Sequence, residues 1–209
     1  MSTALAPPPK SLTPPPMRAV VISTTPVPHR WTVEEYHSLE GNPSFSDLRS
    51  FLIDGVIYTM PQANPPHDMG MSKTQRWLFR VFDDRYYIRN QMGFGIGKFN
   101  DPGPDLAVVV GPMEAYERKR PSTALFIIEV ASSSLSIDTG RKAELYATAG
   151  VPDYWVLDVD NRQLHVFRDP QNAEYGSHEI LNEADTIAPL AAPASTVAVA
   201  ELLPSAIEE

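Results

Sequence analysis

The sequence predicts an α/β fold with a mixed central sheet flanked by helices and an N-terminal hairpin. Three observations carry this expectation. Short apolar runs of strand length alternate with segments of helical period. An Asp54-Gly55 pair separates two apolar runs, a strong hairpin signal. A strand–helix–strand order between residues 125 and 158 implies a right-handed crossover and one parallel strand pair.

The elements follow in order. Residues 1–28 are rich in proline and form an expected arm outside the folded domain. Thr32-Val33-Glu34-Glu35 matches a capping box, so a short helix should run from Val33 to about Leu39. Phe51 to Tyr58 should form the hairpin around Asp54-Gly55. Asp68 to about Arg89 has helical character, with Met71, Leu78, Val81, Phe82 and Tyr86 as an apolar stripe. Gly93, Gly95 and Gly97 alternate with Phe94 and Ile96, which favours a strand closely approached by a neighbour. The series is GxGxG with no helix close behind, so a dinucleotide-binding loop is rejected. Asp105–Val110 and Leu125–Ala131 are expected strands, and Thr139–Ala149 is a helix ended by Gly150 and Pro152. Tyr154–Asp158, Leu164–Phe167 and His178–Leu181 complete the sheet. The folded domain is expected over residues 29–190, followed by an acidic tail over 191–209.

Composition removes several chemistries. The 209 residues include no cysteine, which excludes disulfides, thiolate metal sites and a cysteine nucleophile. The five histidines lack HxxxH or HxH spacing, so a histidine-rich zinc site is not expected. No uncharged stretch is long enough to span a membrane, and the proline-broken N-terminus lacks signal-peptide order. The expected compartment is the cytoplasm. The net charge of −9 argues against nucleic acid as a partner, but its distribution weakens that objection. Residues 171–209 carry seven acids and neither Lys nor Arg, leaving −2 for everything before them. Between His67 and Lys98 six basic residues oppose three acids, a net +3. That segment is either a solvated helix face or a local basic surface.

Three charges stand where apolar residues belong. Glu129 interrupts the run Leu125-Phe126-Ile127-Ile128-Glu129-Val130-Ala131, where a carboxylate is costly unless paired or bound to a metal. Asp105 opens the run Asp105-Leu106-Ala107-Val108-Val109-Val110; as a strand-end residue it could equally cap a turn. Lys142 shares a helix face with Leu145, Tyr146 and Ala149, so it either snorkels at the rim or points at the two acids. Together they suit magnesium, which prefers oxygen ligands and is held by one or two carboxylates plus waters. A metal and a nearby Lys are what phosphodiester hydrolysis needs. Ser132, Ser133 and Ser134 lack a GxSxG frame and read as a strand-exit turn.

The segments Gly103-Pro104-Asp105-Leu106-Ala107-Val108-Val109, Ile127-Ile128-Glu129-Val130-Ala131-Ser132, Asp138 to Tyr146 and Ala149 to Asp158 resemble a large bacterial family of restriction-endonuclease-like proteins in the PD-(D/E)XK superfamily. Trp31 to Tyr36 and Ile53-Asp54-Gly55 are similar too, so the resemblance covers roughly residues 31–170. It implies a restriction-endonuclease-like sheet and a Mg²⁺-dependent nuclease core (Mn²⁺ as a substitute). The implied substrate is nucleic acid, DNA first, and the implied assembly a homodimer. By position, Asp105 and Glu129 would bind the metal. Lys142 would replace the superfamily lysine, whose usual place is Ala131 here. His67 matches a frequent family histidine. Phe51 stands where the family usually has Glu, which removes a ligand from the first strand.

The leading expectation is therefore a nuclease. The alternative is a catalytically inactive dimeric binding or structural module that keeps the fold. A metal hydrolase of another phosphorylated substrate is a third reading.

Overall fold

The structure, a computed structural model, describes residues 25–39, 41–42, 49–60 and 64–206. Most of the expected proline-rich arm lies outside these residues. Helix α1 (Val33–His37) begins with the expected capping box: the Glu35 amide donates to Thr32 Oγ1 and the Thr32 amide to Glu35 Oε2. Strands β1 (Arg49–Ile53) and β2 (Val56–Met60) pair antiparallel, with Ile53 opposite Val56. Asp54 and Gly55 form the two-residue turn at φ +54° and +77°, the left-handed pair such a hairpin requires. A Cβ on Gly55 would also lie 2.8 Å from the Cβ of Arg30, so glycine is needed twice over.

Helix α2 (Pro65–Val81) starts at Asn64, whose side chain accepts from the His67 amide. It ends eight residues before the expected limit of Arg89. Asp83 Oδ1 accepts from the Arg85 amide, a local turn that competes with the helix. The following Tyr86-Tyr87-Ile88 is aromatic and β-branched, and it forms strand β3 (Tyr86–Asn90). The strand expected over the glycine series is absent. Phe94 and Ile96 are buried as the alternation implied. The Phe94 amide donates to the Asp101 carboxylate and not to a neighbouring strand. Close approach does explain Gly93: the Arg120–Asp101 ion pair lies directly over its Cα.

The main sheet has six strands in sequential order: β3, β4 (Leu106–Val110), β5 (Phe126–Ala131), β6 (Asp153–Asp158), β7 (Gln163–Gln171) and β8 (Glu174–Asn182). All neighbours are antiparallel except β5 and β6, the parallel pair that the crossover implied. The crossover contains α3 (Leu135–Ile137), a π-helical turn (Asp138–Lys142) and α4 (Ala143–Thr148), so the helix starts earlier than expected.

Alternation along the strands divides the core into two layers. On one face Leu106, Val108, Phe126, Ile128, Val130, Trp155 and Leu157 pack with Met71, Trp77 and Leu78 of α2. Gly70 lets α2 come close, since a Cβ there would lie 3.2 Å from Val130 and Val159. On the other face Ala107, Val109, Ile127, Tyr154 and Val156 pack with Phe51 and Ile53 of the hairpin and with Leu145 and Tyr146 of α4. Glu129 occupies a position of this second layer.

The chain end corrects the expected tail. Strands β9 (Thr186–Ile187) and β10 (Val197–Ala198) pair, and α5 (Val199–Leu202) follows. Val197, Val199, Leu202 and Leu203 are buried in the α2 layer. Acidic composition masked an apolar segment that completes the core. Leu202→Ala should therefore cost about 2–5 kcal/mol in urea unfolding, the range for truncating a buried leucine. A loss below about 1 kcal/mol, a surface-like value, would restore the detachable tail.

Candidate active site

The site grows from the register of β4 and β5. Leu106 pairs with Ile128 and Ala107 with Ile127, so one step further places Asp105 directly opposite Glu129. Directly opposed residues have Cβ atoms roughly 4.5–5.5 Å apart. Two hydrogen bonds lock the pair reciprocally. The Asp105 amide donates to Glu129 Oε2 at 3.1 Å, and the Val130 amide donates to Asp105 Oδ2 at 2.9 Å.

The crossover helix supplies the cation. Asp138, Lys142 and Tyr146 are spaced four apart, and the π-helical turn brings the first two to the same inward side. Turns of this kind recur at functional sites. Lys142 Nζ lies 3.1 Å from Glu129 Oε1 and 2.8 Å from Asp138 Oδ1, with the side chain 4% exposed. The ammonium thus points inward, at Glu129 and not at solvent. Tyr146 donates its hydroxyl to the same Glu129 oxygen at 2.7 Å. The hairpin closes the cluster. Lys142 Nζ sits 5.0 Å from the ring centroid of Phe51. Arg141 grips Asp54 at the hairpin turn with two bonds of 2.7 and 2.6 Å.

Asp105 has its own partners. Arg49 Nη2 lies 2.7 Å from Oδ1, and Gln91 Nε2 donates to the same oxygen at 3.3 Å. His67 is buried at the start of α2, with Nε2 3.5 Å from Asp105 Oδ2. The structure thus brings together Asp105, Glu129, Lys142 and His67. Sequence reasoning missed Arg49, Gln91 and Asp138. Asp138 carried a signal, since an acid four residues before Lys142 shares its helix face. Arg49 and Gln91 carried none, because strand pairing alone brings them to Asp105.

Charge counting explains the ionisation. Asp105, Glu129 and Asp138 face Arg49 and Lys142, an excess of one acid. Burial works against an ionised Asp105, but His67, Arg49 and Lys142 hold its carboxyl well below the usual range. Burial also works against the Lys142 ammonium, yet Glu129, Asp138 and Asp105 hold its pKa above the ordinary value. Glu129 moves the other way. Burial pushes it up to about 8; Lys142 opposes this, and Asp138 and Asp105 reinforce it. Glu129 is thus where the cluster's surplus negative charge is relieved by a proton.

The donor set fits a hard divalent cation. It offers carboxyl oxygens on adjacent strands and, once Glu129 gives up its proton, one negative charge in excess. Among the described residues no three His, Cys, Asp or Glu side chains group to enclose an ion. Magnesium, which keeps several waters and is usually held by one or two carboxylates, needs no larger ligand set.

A mixed sheet carrying two opposed acids, with a buried lysine on the helix that follows, is a protein of the restriction-endonuclease-like class. The chain belongs to the Uma2 family, described as "Putative restriction endonuclease", which matches residues 33–200. The crystal structure of "a putative nuclease belonging to DUF820" from Anabaena variabilis ATCC 29413 shares the fold, with a TM-score of 0.64. The two are 20% identical, and the match covers 82% of this chain and 96% of the other. No curated protein matches the chain. Among the described residues no helix is long and apolar enough to cross a membrane.

The Glu129 shift fixes a pH dependence. Its folded pKa, about 8, exceeds the ordinary 4.5, so the folded state holds the proton more tightly. The stabilisation is complete below about pH 4.5 and is lost as pH rises through about 8. In metal-free buffer, Glu129→Gln should flatten the fall in melting temperature across that window. An unchanged slope would show that Glu129 is ionised throughout.

Proposed function

We propose that the protein is a metal-dependent endonuclease that hydrolyses nucleic-acid phosphodiesters, most readily DNA. Asp105 and Glu129 would hold Mg²⁺, or Mn²⁺ in its place, and Lys142 would act at the reacting phosphate. The observation that carries this reading is the buried Lys142 ammonium held between Glu129 and Asp138, beside the Asp105 carboxyl that is locked to Glu129 across the strands. Family membership and the nuclease-like neighbour support the substrate class. A homodimer acting in the cytoplasm completes the proposal.

When bound, the divalent ion supplies an activated water and neutralises charge on a phosphoryl oxygen. The chain's own groups do the rest. Arg49 holds Asp105 ionised and, being half-buried, can turn from Asp105 to a substrate phosphate. Tyr146 fixes Glu129 Oε1, so the carboxylate is oriented before any ligand arrives. Lys142 remains charged and can orient the attacking water or stabilise the transition state. His67 braces the far oxygen of Asp105.

One observation favours the alternative of a catalytically silent dimeric module. Phe51 fills the family acid position with a ring against Lys142, and Arg49 already occupies Asp105. Activity separates the two. Purified protein should nick or degrade plasmid or single-stranded DNA with Mg²⁺ or Mn²⁺ and stop in EDTA. Lys142→Ala should bind the metal at least as tightly in calorimetry, since a competing cation is gone. It should lose about a hundredfold or more in cleavage, the scale of removing one electrostatic stabiliser. Equal cleavage by the two proteins would reject the lysine's role. A wild type that cleaves neither DNA nor RNA would establish the silent module.

A further inference from the structure

A second buried cation lies outside the acid cluster, and among the described residues no acid forms an ion pair with it; Asp101 acts on it only from a distance. Arg89, on β3, is 6% exposed. Its Nη2 donates to the Gly93 carbonyl at 3.0 Å, while its Nε is buried without a hydrogen-bond partner. No carboxylate lies within ion-pair distance among the described residues. Its charge rests instead on two rings, with Tyr87 and Tyr116 centroids 5.6 and 6.0 Å from the guanidinium carbon. A buried guanidinium left this way is costly unless something anionic arrives.

Arg89 lines a cavity of about 840 Å³ between α1, β3 and the segment from Met113 to Arg120. That volume is within the range of small-molecule sites and exceeds the need of an inorganic anion. Tyr36, Tyr87 and Tyr116 give it aromatic walls. Its other charges are largely settled. Buried Asp101 holds both His37 Nε2 and Arg120 Nη1 at 2.6 Å, and Glu117 is exposed at the rim. Gln91 also lines the cavity while donating to Asp105, so the space abuts the acid cluster.

We propose that this cavity is a nucleotide site, in which Arg89 takes a phosphate oxygen and the tyrosine rings take the base. Arginine suits phosphate geometry, and every base has a face that stacks on an aromatic ring. A free mononucleotide and one nucleotide of a strand present the same groups. The cavity's meaning as a substrate subsite rests on the nuclease reading; the binding itself does not.

Calorimetry on the full chain in EDTA, where no cleavage occurs, tests it. The probes are thymidine 5′-monophosphate, thymidine, inorganic phosphate and tetrathymidylate. The monophosphate or the tetranucleotide should bind; tighter monophosphate indicates a free nucleotide, tighter tetranucleotide a strand. Thymidine and phosphate should each bind at least about tenfold more weakly than the better probe, a loss of about 1.4 kcal/mol. Arg89→Gln should lose at least about tenfold. Tyr116→Leu, at a half-buried position, should lose about fivefold or more. Arg89→Gln should also melt no lower than wild type, because it removes an uncompensated buried charge. The proposal is overturned if neither nucleotide binds, if Arg89→Gln binds equally well, or if that variant melts much lower, making Arg89 a structural prop. A wild type that cleaves with metal but binds neither nucleotide overturns the cavity alone. Binding without cleavage overturns the nuclease alone.

Discussion

The burial of the Lys142 ammonium between Glu129 and Asp138 is the constraint on which the rest of the molecule turns. Lys142 comes from the crossover helix and Glu129 from the centre of the sheet, and both are almost fully withdrawn from water. A cation buried among acids adds little net stability over an apolar isostere, but stranding it without them costs about 3–5 kcal/mol. The surrounding geometry follows from that asymmetry. The π-helical turn brings Asp138 to the other side of the ammonium. Tyr146 caps the carboxylate, and Phe51 covers the remaining face. The hairpin is pinned in place by Arg141 on Asp54, one residue before Lys142 in sequence. Each contact is local, yet together they join hairpin, sheet and helix at one point.

Much of this was legible in the sequence because a few local rules were decisive. The Asp54-Gly55 turn, the Thr32 capping box and the interrupted apolar run at Glu129 each depend on residues within a few positions of one another. Helix phase placed Lys142 on the face of Leu145 and Tyr146 but left its head group open between solvent and the acids. What escaped was non-local or compositional. Helix α2 was drawn too long because Tyr86 continues its apolar stripe, and no periodicity reveals that β3 finds a partner in β4. The glycine series has the alternation of a strand but spends a backbone amide on Asp101. The acidic end looked like a tail because charge was weighed over Val197, Val199, Leu202 and Leu203.

A phenylalanine and not an acid at position 51 has a consequence for charge. A glutamate there would make four carboxylates against Arg49 and Lys142. With a phenylalanine the excess is a single charge, and a proton on Glu129 is enough to balance it. A ring still attracts the ammonium without adding to the repulsion among the acids.

Lys142 and Arg89, both buried, present the same electrostatic problem with opposite solutions. Lys142 is neutralised by groups the fold itself provides, so its environment is complete before any ligand arrives. Among the described residues Arg89 touches a carbonyl oxygen and the faces of two tyrosines but no carboxylate. A carbonyl dipole and ring quadrupoles reduce the cost of burying a guanidinium, but they do not cancel its charge. Arg89 pairs with Ala107 of the second layer, and Gln91, just past the end of β3, touches Asp105. A phosphate bound at Arg89 would therefore sit on the sheet face that carries the acids. The compensated cation belongs where the chemistry is proposed to occur, and the uncompensated one belongs where a negative ligand completes the balance.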